Sequence, residues 1–358
     1  MRLVGFGGVV VVAAGVVLAV IASNGGAKVA KVAPQKPHRP ATSTTKKRPA
    51  EVRSFRCPLT DVAAPGLIVP QRPALLVKIG NEPGPSRPQS GLNEADVVFD
   101  TPAEGFIMRY IAVFQCENAT MIGPLRSVRW VDYHLSPEFA QSILAFAGGI
   151  DPNVFAAAGT PGLTAANLLT GQAAAGYRTT SRYPPDNFYT STSALYGLFP
   201  QLSRTPNPIF PFTGSLPGAK PVTSVELNFS SGTDVVWDWQ PAFHAWIHTY
   251  SGAPDIDALT LQPVSTTNVV IEIVPYTYGP YIESAGGTGD IQSQTTGTGL
   301  GYLLRGGGYI PIVWRRPKLG DATTFTTASG QPIGLAAGRT WVEIMTDTQA
   351  ANGIHFTP

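Results

Sequence analysis

From Arg72 to Arg129 the chain repeats one pattern, a short apolar run followed by a polar elbow. The runs LLVKI, ADVVF and MRYIAVF are too short for ordinary helices and are bounded by Gly, Pro and Asn, so they predict strands. This constrains the fold to a sheet whose loops carry the chemistry. Those elbows hold Arg87, Asp96, Glu104, Arg109, Arg126 and Arg129, although only 13% of all residues are charged. Such a gathering has two readings of equal weight. The charges pair with one another and lock the loops, or the guanidinium forks wait for a phosphate or carboxylate.

Before that stretch, Leu3 to Ala22 contains no charged residue and is long enough to cross a bilayer as a helix. A cleaved secretory signal is the other reading, and the length of the run favours a retained anchor. Arg2 precedes the segment and Lys28, Lys31, Lys36 and Arg39 follow it, which by itself would turn the body to the cytoplasm. Residues 23–54, rich in Gly, Ala, Lys, Pro and Thr, instead read as a disordered spacer across a cell envelope. The body is therefore expected outside the cell, single-pass at the cell membrane, or secreted if the signal is cut. Cys57 and Cys116 are the only cysteines, and an oxidising compartment would let them close one disulfide; neither belongs to a CxxC pair. A net charge of +2 gives no reason to expect nucleic acid as a partner.

The expected fold is α+β, with an N-terminal α/β domain over 55–215, a C-terminal antiparallel β-rich domain over 216–347 and a tail over 348–358. In the first domain, SPEFAQSILAFAG opens like a capped helix, while DPNVFAAAG and LTAANLLTGQAAAG predict short Ala-rich helices closed by Gly. The segment YRTTSRYPPDNFYTSTSALYGL places Arg178, Arg182, Asp186 and Asn187 among Tyr, Ser and Thr before a helix capped by Ser191 or Thr192. After Val222 the period becomes two, and TSVELNF, DVVWDW, FHAWIHTY, NVVIEIVPY, GYLLR, YIPIVWRR and TWVEIM all predict strands. Within GLGYLLRGGGYIPIVWRR the glycines read as a hairpin turn, since neither a Walker lysine nor a helix follows. His244 and His248 would share a strand face, without the glutamate of a zinc motif. No GxSxG elbow, SxxK pair or P-loop occurs.

The segments RPALLVKIGNEPGPSRPQSGLNEADVVFDTPAEGFIMRYIAVFQ, IGPLRSVR, AGG, SRYPPDNFYTST, TGTGLGYLLRGGGYIPIVWRRP and AAGRTWVEIM together resemble the YerB-like family of lipoprotein-type bacterial proteins, domain of unknown function 3048. The likeness runs from Arg72 to Met345. It implies a membrane-tethered, extracytoplasmic, two-part protein, and no established reaction. The chain departs from that family in lacking a lipobox cysteine, in carrying Phe146 before AGG, and in having Pro185, Asp186 and Asn187 where relatives tend to have Pro-His-Asn. The order of strands and the Pro-Leu-Arg-Ser step are also similar to the LytR-CpsA-Psr phosphotransferases. That likeness implies a magnesium-dependent transferase acting on polyprenyl-pyrophosphate-linked glycopolymers, with Arg87, Arg109, Arg126 and Arg129 on the pyrophosphate and Asp96 on Mg2+.

The favoured expectation is a non-enzymatic envelope protein that binds an anionic or sugar-containing cell-wall ligand or an envelope protein, with the transferase as the alternative. The expected ligand-binding residues are Arg87, Asp96, Glu104, Arg109, Arg126, Arg129, Arg182 and Asn187. No catalytic residue, metal site or cofactor is assigned.

Overall fold

The computed structural model describes residues 55–230, 233–283, 287 and 289–358. The expected membrane segment 1–22 and the spacer 23–54 lie outside them. Among the described residues, no helix is long and apolar enough to cross a membrane. The described residues belong to one compact unit, and helix is confined to short pieces within a sheet-rich body.

The first three apolar runs form β1 (Ala74–Ile79), β2 (Val97–Pro102) and β3 (Met108–Phe114). Every residue of β1 and β2 is buried, because these strands lie in the middle of a 12-stranded sheet that is covered on both faces. Its strand order is Pro332–Ile333, Thr324–Thr326, Gly308–Arg316, Gly297–Arg305, Asn268–Val274, Thr340–Thr346, β2, β3, β1, β4 (Ser142–Phe146) and β5 (Leu163–Asn167), with Lys220–Pro221 as a further edge strand on Gly308–Arg316. The N-terminal part is α/β-like, with β1, β4 and β5 parallel and β3 antiparallel to β1. The C-terminal part is mostly antiparallel. Its Thr340–Thr346 strand runs parallel to both Asn268–Val274 and β2, so residues from the two parts share a continuous sheet.

A second, 6-stranded sheet contains Ala253–Pro254, Ala245–Tyr250, Thr233–Gln240, Ser224–Ser230 and Ile354–Thr357, with Ser265–Thr266 alongside. The final strand, Ile354–Thr357, follows the short helix α4 (Asp347–Ala350) and pairs with Ser224–Ser230. The second sheet packs its Val225, Leu227, Trp237 and Trp246 onto the face of the long sheet that carries Val77, Tyr110 and Trp341. On the opposite face, Leu76, Phe99, Val113 and Ile344 pack with Val131 and Leu135 of α1 (Trp130–Leu135) and Ala157 of α2 (Asp151–Gly159).

Two expected helices are strands. In SPEFAQSILAFAG, Ser136–Phe139 makes a single 3-10 turn, Ala140 takes a positive φ of 60°, and SILAF becomes β4. Likewise LTAAN is β5, and only Ala173–Ala175 of the Ala-rich tract turns into 3-10 helix. SILAF lies inside the sheet and is buried on both faces, so it loses the alternation that distinguishes strand from helix; LTAAN is a partly buried edge strand whose helix-favouring alanines are overridden by pairing with β4. The other expected helices form: α2, and α3 (Thr192–Leu198), whose Ser191 side chain accepts from the Ala194 amide at 3.2 Å. Cys57 and Cys116 form the disulfide, with Cα atoms 5.9 Å apart.

Candidate functional site

The polar elbows meet where β1 ends and β3 begins. Backbone bonds lay the segment Leu125–Val128 across this edge: Arg126 N donates to Lys78 O at 3.0 Å, Ala147 N to Arg126 O at 2.9 Å, and Val128 N to Gly148 O at 3.0 Å. Gly80 is required here, since a Cβ on it would stand 2.8 Å from Arg126 Cγ and 2.9 Å from Ser86 Oγ.

On this frame the arginines and carboxylates alternate as a ladder. Arg126 Nη2 lies 3.0 Å from both Glu82 Oε2 and Asp186 Oδ1, and the Ser86 hydroxyl reaches the same two acids at 2.7 and 2.5 Å. Arg109 Nη2 meets Glu82 Oε1 at 3.1 Å and Glu104 Oε2 at 3.6 Å. Arg129 then holds Glu104 through Nε and Nη2, and Glu283 Oε2 through Nη1 at 2.7 Å. Beyond it, Asn153 of α2 donates to Glu283 at 2.5 Å. Burial opposes the charge on Glu82 and Glu104, yet the flanking arginines pull both below the usual carboxylate range. Glu283 goes the other way: burial, reinforced by the neighbouring Glu104 charge, outweighs Arg129 and pushes it up.

Below the ladder, Lys78 is fully buried and donates to Asp132 Oδ1 at 2.7 Å and Thr101 Oγ1 at 3.1 Å. The second oxygen of Asp132 accepts the Arg129 amide at 2.7 Å, capping α1. Burial pulls the Lys78 ammonium down, with Asp132 opposing.

Arg87 belongs to a separate cluster facing the second sheet. Its Nη1 meets Asp255 Oδ2 at 2.7 Å, its Nη2 donates to Tyr110 Oη at 3.0 Å and to Asn81, and its guanidinium stacks 3.4 Å from the Tyr250 ring centre. Asp255 also meets Nδ1 of fully buried His248 at 3.1 Å. Next to it, Asp100 and Glu343 are register partners on adjacent strands, and burial pushes both carboxyls up. Trp237 Nε1 donates to Glu343 at 2.7 Å.

The expected site residues are thus divided. Glu104, Arg109, Arg126 and Arg129 come together, but as an ion-paired ladder; each of these arginines, and Arg87 in its own cluster, already faces a carboxylate. Asp96 stands apart. Its carboxylate accepts the Gln115 and Cys116 amides at 2.5 and 3.0 Å, and the strand rise puts it about 17 Å from Arg109, at the opposite end of β3. It caps a backbone turn, and the arrangement needed for a magnesium-assisted transferase is not assembled. Among the described residues no cluster of three His, Cys, Asp or Glu could hold a metal. His244 and His248 do not share a face either: His244 is exposed in a turn at φ 50°, while His248 is sealed in the core.

Arg182 and Asn187 flank the Tyr177–Asn187 loop. Arg182 Nη2 donates to Pro88 O at 2.6 Å, and Asn187 Oδ1 accepts from Arg178 Nη1 at 2.6 Å. Neither Arg178 nor Arg182 has a carboxylate partner among the described residues. Next to Arg182, Tyr183 is 89% exposed, and Tyr177 and nearby Leu169 are exposed as well. The base of the loop is fastened by Asp186 to Arg126 and Ser86.

Sequence reasoning missed Glu82, Asp255 and Glu283 as the counter-charges, and Lys78 with Asp132 beneath them. Lys78 did carry a signal: a lysine in the middle of the apolar run LLVKI needs a buried acid to be tolerated.

Residues 59–204 match the family model described as the N-terminal domain of a protein of unknown function (DUF3048), and residues 225–342 match its C-terminal counterpart. The chain is 26% identical over 311 residues to "Putative lipoprotein YerB" of Bacillus subtilis (strain 168), covering 85% of this chain and 90% of the relative. A crystal structure of YerB from Bacillus subtilis superposes with a TM-score of 0.72 at 24% identity, covering 85% of this chain and 99% of that one. Two halves matched in order, and a fold shared over nearly the whole solved chain, make this protein a member of the DUF3048 family.

Proposed function

We propose that this chain is an extracytoplasmic protein of the cell envelope, tethered through its N-terminal apolar segment, which acts by binding and takes an anionic, sugar-containing envelope polymer on the Tyr177–Asn187 loop. The name of the Bacillus relative supports the location, and so does the disulfide, since such bonds persist in oxidising compartments.

The observation that carries the binding reading is the exposure of Tyr183 at the tip of a loop whose base is fixed. A phenol ring held in water gives up little conformational entropy on binding, and its apolar face suits the C–H face of a sugar ring. Arg178 and Arg182 flank it with charge that no carboxylate among the described residues cancels, which suits acidic groups along a polymer. In this reading Arg126 fastens the loop through Asp186, Arg109 and Arg129 lie further along the ladder, and none of the three touches the ligand.

Sedimentation of the full-length chain with isolated envelope polymer tests this. Tyr183→Ala should lower retention about tenfold, the effect of removing an exposed aromatic anchor worth about 1.4 kcal/mol, and leave the unfolding midpoint unchanged. Equal retention by the variant and the parent protein would remove the loop from the account.

A further inference from the structure

In the hairpin of the C-terminal part, Arg305 stands in a different electrostatic situation from every ladder arginine. Its side chain is buried, with the residue only 6% exposed, and it has no carboxylate partner among the described residues. Nη1 is fixed by two backbone carbonyls, Thr213 O at 2.8 Å and Gly334 O at 2.9 Å. That leaves Nε and Nη2, the two parallel donors on one edge of the guanidinium, without a partner among the described residues. This is the edge that takes a carboxylate or phosphate bidentately. Burial lowers the pKa of Arg305, and no acid lifts it back.

The side chain borders an open cleft of about 440 Å³, lined by Ser215, Leu216, Lys220, Pro221 and the turn Gly306–Gly308. The turn glycines take φ of 59° and 74° at Gly306 and Gly307, a geometry that brings bare backbone to the cleft wall. Lys220, exposed and free of any ion pair among the described residues, is placed across from the turn because its strand pairs Lys220 with Tyr309 and Pro221 with Gly308. Two cations and no anion therefore border one cavity.

We propose that this cleft is an oxyanion site, in which the Nε–Nη2 edge of Arg305 grips two oxygens of a phosphate group and Lys220 supplies the second positive charge. Phosphate is favoured over carboxylate because a tetrahedral group that places two oxygens on Arg305 still has further oxygens to turn toward Lys220, whereas a carboxylate has only two. The group could arrive as free phosphate or as a phosphodiester within an envelope polymer. The site is separate from the Tyr177–Asn187 loop and stands whether or not that loop binds.

Isothermal titration of the full-length chain in detergent at low salt, with inorganic phosphate, acetate and poly(glycerol phosphate) in separate runs, decides it. One saturable site per chain is expected, with acetate about tenfold weaker than phosphate. Arg305→Lys, which keeps the charge and loses the fork, should weaken phosphate about tenfold, and Lys220→Ala about threefold to tenfold, in line with losing one charge-assisted contact. Tighter binding of the polymer than of phosphate would identify the phosphodiester as the source, and equal binding would identify the free anion. Absence of saturable phosphate uptake, or unchanged affinity in Lys220→Ala and in a folded Arg305→Lys, overturns the proposal. Should Arg305→Lys fail to fold, Lys220→Ala alone decides, because Lys220 pairs with Tyr309 through its backbone and its exposed side chain makes no hydrogen bond or ion pair among the described residues.

Discussion

Arg129, at the start of α1, and Arg305, at the end of the strand Gly297–Arg305, are both buried arginines, and they differ in what surrounds them. Arg129 lies between Glu104 and Glu283 in a ladder that also takes in Arg109, Glu82, Arg126 and Asp186. Arg305 has backbone carbonyls on one corner and an open cleft beside it. A guanidinium that is already forked onto acids has committed its donors to the fold, whereas one with a free edge keeps them for a ligand. Local density of charge in a sequence is therefore a guide to where loops are fastened. Binding capacity follows from the charge that remains uncancelled.

The comparison can be broken most severely at the base of the ladder. Asp132→Asn strands the buried Lys78 ammonium and uncaps α1, and should cost about 3–5 kcal/mol in urea unfolding. A loss below about 1 kcal/mol would mean that the buried cation finds other partners and that the ladder is not what anchors these loops. Reducing the Cys57–Cys116 bond, which closes a separation of 59 residues, should cost about 4 kcal/mol by loss of chain constraint, read as a lower urea midpoint in reductant.

The dependence of stability on pH sharpens the contrast from both sides. Glu82 and Asp255, flanked by arginine, have folded pKa values below their ordinary ones. They stabilise the fold above the unfolded pKa, near 4, and that contribution drains away as pH falls through the lower folded value. Glu272, buried with Glu138 near it and Arg316 only partly compensating, is pushed up to about 8. A carboxyl raised in the fold binds its proton more tightly there, so stability declines as pH rises from about 4.5 toward 8. The urea midpoint should thus peak near pH 5, and Glu272→Gln should lessen the alkaline decline, to which the raised carboxyls of Asp100, Glu283 and Glu343 also contribute, while leaving the acid limb in place. An unchanged alkaline limb would place the titration elsewhere.

Smaller effects are expected where charge or ring is uncommitted. Arg305→Lys should move stability by about 1 kcal/mol, since an ammonium can still donate to the Thr213 and Gly334 carbonyls. Tyr183→Ala, at a loop tip, should leave it within about 0.5 kcal/mol. A larger change at Tyr183 would mark it as a packing residue.

Much of the strand inventory was legible because alternating or bounded apolar runs carry their own signature: β1 to β3 and seven of the eight long strands after Val222 fall where the pattern places them, while Tyr276–Ile282, interrupted by Gly and Pro, was missed. SILAF was not legible as a strand because burial on both faces of the sheet erases alternation, and LTAAN, a partly buried edge strand, was not because its Ala-rich composition pointed to helix. The meeting of Glu104, Arg109, Arg126 and Arg129 could be anticipated from shared strand ends. Their neutralisation could not, because Asp186 and Glu283 are brought in by segments far along the chain, and sequence carries no distance between such segments. Arg305 was read as part of a hairpin, which it is; that its guanidinium edge is free depends on which carbonyls lie beside it.

The measurement that tests the central claim most directly is Arg129→Met, followed in parallel by urea unfolding and by retention on envelope polymer at a temperature where the variant stays folded. Stability should fall by about 2–4 kcal/mol, as Glu104 and Glu283 are left facing one another without the Arg129 guanidinium, and retention should equal that of the parent chain. Unchanged stability together with lost retention would contradict it, and would make the ladder the binding site after all.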